Sequence, residues 1–165
     1  MDPYRYLPFL SRTVMRAWAE REQPPVHVSW TPLTRPLDRC RVALISTAGI
    51  ALAGDEPFDE QAERDDPWRG DDGWRAIPAT ATAADVGIHH LHIDRTPAEE
   101  DLDVVLPSRR LAELAADGVI GEANHRHFSI MGYILDATGL VTVTAPELGA
   151  ELAADDVDLA LLVPV

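Results

Sequence analysis

The chain has 165 residues, 46% hydrophobic and 25% charged, which is enough apolar material for one buried core and excludes fibrous, collagen-like and wholly disordered classes. Fourteen basic against 28 acidic side chains leave a net charge of −14, a field that repels phosphate backbones and anionic lipid, so neither nucleic acid nor membrane is an expected partner. All fourteen basic residues are arginine, beside 23 alanines and one asparagine, a bias of the kind that GC-rich coding produces.

The start, Met1-Asp2-Pro3-Tyr4-Arg5, lacks the charged-then-apolar layout of a secretory leader. No apolar run reaches the ~20 residues of a membrane helix, so the expected location is cytoplasmic. Leu10, Val14 and Ala17/Trp18 are spaced for one short amphipathic helix. Pro24-Pro25 and Trp30-Thr31-Pro32-Leu33-Thr34-Arg35-Pro36 then forbid regular helix and predict an extended arm. Residues 1–40 are read as this helix and proline-rich arm, and 41–165 as the α/β domain.

Cys40 stands alone, which excludes an internal disulfide and a cysteine metal cluster. Arg41 to Thr47 is an apolar run without polar alternation, the pattern of a strand covered on both faces and hence of a parallel sheet. Residues 51–76 carry nine acids and three arginines and read as a long loop. Val86 to Ile93 reads as a strand. Thr96-Pro97-Ala98-Glu99 has the form of a capping box with proline in the first turn. Ser108 is the expected cap of a helix with Leu111, Leu114 and Ala115 on one face, closed by Gly118. Residues 128–135 and 139–143 read as strands, Thr144 and Glu147 as a second capping box, Leu148 and Leu152 as a helix face, and Val157 to Val165 as a last apolar strand. Alternating strands and helices predict an α/β fold with an open, mainly parallel sheet flanked by helices.

Five of the six histidines fall in two short segments. On a strand, His90, His92 and Asp94 would share one face, with His89 on the other; His125 and His127 repeat the spacing. Imidazoles beside a carboxylate suit proton transfer, so His90, His92, Asp94 and His127 are the catalytic candidates. If a metal is bound, His90, His92, His125 and His127 are its candidate ligands, a set suited to zinc, iron or nickel. Thr47 and Gly49 lie where the first strand gives way to a turn, the edge at which open α/β sheets bind ligands. With Asp101 and Ser129 they are the candidate substrate contacts.

In order along the chain, Trp30-Thr31-Pro32-Leu33, Arg41 to Ile50, Pro57-Phe58-Asp59, Gly70-Asp71, Trp74-Arg75-Ala76-Ile77-Pro78, His90 to Asp94, Thr96 to Asp101, Val105-Leu106-Pro107, Gly118-Val119-Ile120-Gly121 and His127 to Tyr133 resemble the glycine/betaine/sarcosine/D-proline reductase selenoprotein B family. The resemblance departs at Asp103 and Ile93, where an asparagine and an aromatic are usual. It implies reductive cleavage of a C–N bond in a small amino acid or betaine by a selenol or thiol that passes to a carrier protein. It also implies that the redox selenocysteine or cysteine follows an apolar strand like Asp158 to Val165, so the domain is expected to be incomplete at its C-terminus and inactive alone, with no cofactor of its own. The expected partners are a small polar or zwitterionic substrate, a carrier or reductase protein, and a second copy in a homodimer through the uncovered last strand. The alternative functions are a histidine-based metal enzyme and a noncatalytic partner subunit.

Overall fold

The apolar run Arg41–Ser46 forms strand β1, buried from Val42 to Ser46, and the rest of the fold is built around it. The structure is a computed structural model that describes residues 9–19, 31–66, 68 and 70–165. It divides into two compact units, Met1–Pro32 and Leu33–Val165. In the first, helix α1 spans Phe9–Ala19, where the apolar spacing predicts one. Pro24-Pro25, His27 and Trp30 lie outside the described residues. From Thr31 to Pro36 there is neither helix nor strand, and Pro36 is extended at φ −58°, ψ 148°.

In the second unit, β7 (Leu159–Val163) pairs parallel with β1 from Val42↔Leu159 to Ser46↔Val163. On the opposite edge of β1 run β5 (Glu122–Ala123) and β6 (Arg126–Ile130), parallel at Val42↔Ala123 and again at Ile45↔Phe128. Between those pairs β1 advances three residues and its neighbour five, so Asn124 and His125 form a bulge of two extra residues. Antiparallel β3 (Trp74–Pro78) closes the far side of β6. A separate ribbon pairs β2 (Ile50–Leu52) with β4 (Val86–Ile88). The mainly parallel sheet and flanking helices agree with the apolar patterning.

Successive side chains of β1 feed two layers. Val42 and Leu44 pack with Leu102, Val105, Leu106 and Leu111 from the segment holding α3 (Thr96–Glu100) and α4 (Ser108–Ala116). Ile45 packs with Phe128 and with Leu148 and Leu152 of α5 (Ala145–Ala154).

Six local expectations are corrected. Ser108 is the first residue of α4 and makes no cap bond, the cap position being Pro107, and the strand predicted over 128–135 ends at Ile130. Residues 139–143 are helical, continuous with α5 through a wide turn at Leu140–Thr144: Leu140, Thr144, Leu148 and Leu152 recur at four-residue spacing along one apolar groove, and that stripe overrides the strand preference of Val141 and Val143, both exposed. Residues 51–76 contain the end of β2, helix α2 (Glu60–Asp65) and the start of β3. The two Thr-x-x-Glu boxes do not form. Thr96 lies inside α3, whose first turn is held by Asp94 accepting from the Thr96 N–H at 3.0 Å, and Thr144 lies inside the last helix with its hydroxyl on the Asp72 carbonyl. The strand predicted over 86–93 stops at Ile88, with consequences for the histidines on it.

Candidate functional site

Beyond β4 the chain makes one more sheet-like contact, the His89 N–H to the Gly49 carbonyl at 2.8 Å, and then turns. The turn is made by a side chain: His90 Nδ1 accepts the His92 N–H at 3.1 Å, an i to i+2 bond that curls the backbone away from an extended path. His90, His92 and Asp94 therefore do not share a strand face. His90 turns inward and is buried, His92 is half-exposed, and Asp94 is exposed with its carboxylate spent on α3; the hydrogen bonds from Thr96 hold that carboxyl below its ordinary pKa.

The loop is held from across by α2. Asp59 caps that helix, accepting from the N–H groups of Gln61 and Ala62 at 3.0 and 2.9 Å. Glu60 and Glu63, one turn apart, then meet the loop. Glu60 Oε1 accepts from Arg95 Nη1 at 2.9 Å and lies 3.6 Å from His89 Nδ1. Glu63 Oε1 lies 2.6 Å from His92 Nε2. Arg95 also donates to the Ile88 carbonyl at 2.8 Å, so the last residue of β4 and the helix are tied through one guanidinium. The third wall is Tyr133, whose ring centroid is 4.0 Å from that of His92 and whose φ is +58°. A non-glycine residue there stores strain on the order of 1 kcal/mol, a feature that clusters at ligand sites.

Burial holds His89 and His90 below the ordinary histidine pKa; Glu60 opposes the shift at His89, whereas the neighbouring His92 adds to it at His90. His90 is thus neutral at pH 7, and since Nδ1 accepts a backbone N–H, its proton sits on Nε2.

The second histidine pair belongs elsewhere. His127 lies in β6, fully buried, and its Nδ1 accepts the Leu44 N–H at 3.3 Å. The bulge at 124–125 carries the neighbouring backbone out of register with β1 at that point, and the imidazole replaces the missing carbonyl. Burial pushes its pKa down to about 4. His125 is exposed. The bulge is pinned by Arg126, which bonds Asp155 at 2.7 Å and Glu151 at 2.7 Å, and by Asn124 on Asp155 at 2.9 Å; these bonds, the arginine's foremost, pull the Asp155 carboxyl down to about 2. Among the described residues, no three His, Cys, Asp or Glu side chains assemble to hold a metal ion, so the four histidines of the candidate metal set are not brought together.

The remaining candidates have structural contacts. Around the turn after β1, the N–H groups are engaged: Thr47 with Val163 O, Ala48 with Ser46 Oγ, Gly49 with Ile130 O and Ile50 with Ser129 Oγ. Thr47 Oγ1 accepts from the Val165 N–H at 2.9 Å. Ser129 is buried and serves the Ile50 amide at 2.8 Å. Asp101 caps the turn at Asp103 and pairs with Arg109 at 3.0 Å; it lines a different cleft, of about 360 Å³, with Thr82, Leu102 and Ser108.

Over 139 residues, 84% of its length, the chain is 30% identical to the D-proline reductase subunit gamma of Acetoanaerobium sticklandii. The chain is related to a reductase subunit. It spans about half of that relative, 53% of its length. No family model matches the chain, and no solved structure matches it. Among the described residues, no helix is long and apolar enough to cross a membrane.

Glu60, Glu63, Arg95 and Tyr133 were not among the residues that patterning singled out. Asp59 ahead of Glu60-Gln61-Ala62-Glu63 is a helix-start signal inside the supposed loop, and it would have set two carboxylates on one face. Nothing in the sequence shows that the face meets residues 89–95.

Proposed function

We propose that this chain is the substrate-binding part of a reductase related to D-proline reductase, in which a small zwitterionic amino acid loses a C–N bond. The observation that carries the reading is the 30% identity across 84% of the chain to the D-proline reductase subunit gamma. Cleavage takes two electrons and two protons into the substrate: the C–N bond breaks, carbon and nitrogen each gain hydrogen, and a selenol–thiol or dithiol pair is oxidised to the corresponding Se–S or S–S bond. The only cysteine, Cys40, is fully buried with its thiol toward the Pro36 carbonyl at 3.3 Å, so the redox pair lies outside these 165 residues. In this chain His92, exposed to solvent and held by Glu63, passes a proton to the leaving nitrogen, and His90 orients the substrate. Association runs through β7, an apolar strand paired on one side only among the described residues, where Leu161 and Leu162 are exposed; a carrier or reductase chain, or a second copy of this one, meets it there.

The test is reconstitution. The purified chain is mixed with D-proline and dithiothreitol, with and without the selenol- or thiol-bearing polypeptide, and loss of the secondary amine is followed. Turnover is expected only when both polypeptides are present. Turnover by this chain alone with Cys40→Ser would overturn the assignment of the nucleophile, and silence of the complete mixture would overturn the reductase reading.

A further inference from the structure

We propose that Glu63 and His90 form a clamp for the two charged ends of a small ammonium carboxylate: Glu63 Oε2 takes the N–H of the ammonium, and the His90 Nε2–H donates to the carboxylate. This rests on the reading of the 89–95 loop as the substrate site. It assigns the substrate contacts to residues other than the turn at Thr47 and Gly49.

Glutamate is almost never buried without a full set of partners. Glu63 is only 4% exposed, on a six-residue helix whose other acids face solvent or arginine. Its Oε1 has His92, but its Oε2 is hidden and has no hydrogen-bond partner. Arg64, on the same helix, and Arg95, on the facing loop, both pair with Glu60 instead. With the His92 imidazole as its one hydrogen-bond partner among the described residues, the Glu63 carboxyl is a buried acceptor with one vacant oxygen, which favours a cation that can also donate a hydrogen bond.

His90 supplies the complement. It too is 4% exposed, its proton is fixed on Nε2 by the bond at Nδ1, and Nε2 is hidden without a partner. Ahead of that atom is Gly132: a Cβ there would stand 2.8 Å from His90 Nε2 and 3.0 Å from the Thr47 carbonyl, so glycine keeps the space before the donor free of side chain. The two atoms without partners thus differ in kind, one carboxyl acceptor and one ring N–H donor, and Glu63 opposes the lowering of the His90 pKa. A cation alone satisfies the first and an anion alone the second; a zwitterion satisfies both. His92 and Tyr133, each about half exposed and in tilted ring contact at 45°, form the outer cover through which such a ligand enters.

The experiment titrates the whole chain with three probes of similar size, pyrrolidine at its ammonium pH, tetrahydrofuran-2-carboxylate and D-proline, by calorimetry and by the NMR signal of the His90 Nε2–H. The expected order is D-proline tightest, then pyrrolidine, with tetrahydrofuran-2-carboxylate weakest, and the His90 signal moves with D-proline. Glu63→Gln keeps the shape and a bond to His92; it should weaken pyrrolidine and D-proline roughly tenfold or more and leave tetrahydrofuran-2-carboxylate unchanged. D-proline binding that ignores Glu63→Gln and leaves the His90 signal still would overturn the clamp while the reductase reading stands. Pyrrolidine bound and lost with Glu63→Gln, with the reconstituted mixture silent, would keep the ammonium site and remove the D-proline reading. Absence of binding by both ammonium probes in the wild-type chain overturns the clamp outright, whether or not the variant folds.

Discussion

The two histidine pairs have the same His-x-His spacing and opposite uses. At 125–127 a bulge gives way to strand, so the two rings do not share a face: His125, in the bulge, is exposed, and His127, in β6, is buried, where its ring stands in for a backbone carbonyl opposite Leu44. At 90–92 the strand has ended, and a ring-to-backbone bond makes the turn that puts His92 against Glu63 and leaves His90 Nε2 without a partner. What separates them is the backbone each is set on. Each inner ring accepts a backbone N–H at Nδ1 and keeps Nε2 hidden without a partner; what distinguishes the turn is the buried carboxylate of Glu63 beside its histidines, where the sheet offers His127 only apolar and backbone surroundings and a second imidazole.

The comparison breaks most readily at His127. Replacing it with alanine leaves the Leu44 N–H buried without an acceptor and opens a cavity beneath β1, so His127→Ala should cost about 3–4 kcal/mol in urea unfolding. His127→Gln, which can still accept, should recover part of that loss. An alanine variant as stable as the parent would mean that the bulge pairs without the imidazole.

Acid gives the same contrast without a mutation. His127 takes its proton at about 4 in the folded chain and near 6.5 when unfolded, so the unfolded state binds more protons between those values. Stability therefore falls as pH drops from 6.5 toward 4, by roughly 3 kcal/mol from this group. The lowered His89 and His90 act in the same direction. Asp155, held near 2 by Arg126, adds a further loss as pH falls below its unfolded value of about 3.8 toward 2. Unfolding midpoints measured against pH should show the first decline in the parent and a much shallower one in His127→Gln.

Gly49 joins the sheet to the loop that carries the site. Its φ is +63°, and a Cβ there would lie 2.3 Å from the His89 carbonyl oxygen. Gly49→Ala should cost roughly 2 kcal/mol or more, and in NMR it should shift His89 and His90 more than His127. Equal shifts at both pairs would show that the loop and the sheet move as one.

How far these regions could be read from sequence follows the range of the interactions. β1, β7 and α4 were legible because their apolar pattern states which face is buried, and the mainly parallel sheet follows from β1 and β7 having no polar side. The helical turn at 140–144 was not: Leu-Val-Thr-Val-Thr favours a strand locally, and only the stripe continuing to Leu148 and Leu152 decides otherwise. His90 and His92 were legible as a polar cluster, but the premise of a shared strand face failed, because an imidazole can capture a backbone N–H two residues on. Glu63 was hidden for a simpler reason. Its burial depends on contact with a loop 29 residues further along, and no local pattern distinguishes it from Glu60 or Asp65 on the same short helix.

The smallest effect expected is also the one that separates fold from function most cleanly. His92 is 44% exposed and packs on Tyr133 rather than in the core, so His92→Gln, whose amide can still donate to Glu63, should change unfolding free energy by less than about 1 kcal/mol. His92→Ala leaves the buried Glu63 carboxylate with neither oxygen partnered, and the cost should rise to about 1–3 kcal/mol. The difference between the two variants, measured at pH 7 in one denaturant series, isolates what the buried carboxylate demands of its partner. If alanine and glutamine are equally harmless, Glu63 is satisfied by solvent, and the contrast between a histidine set in the sheet and one beside a demanding buried carboxylate no longer holds at this loop.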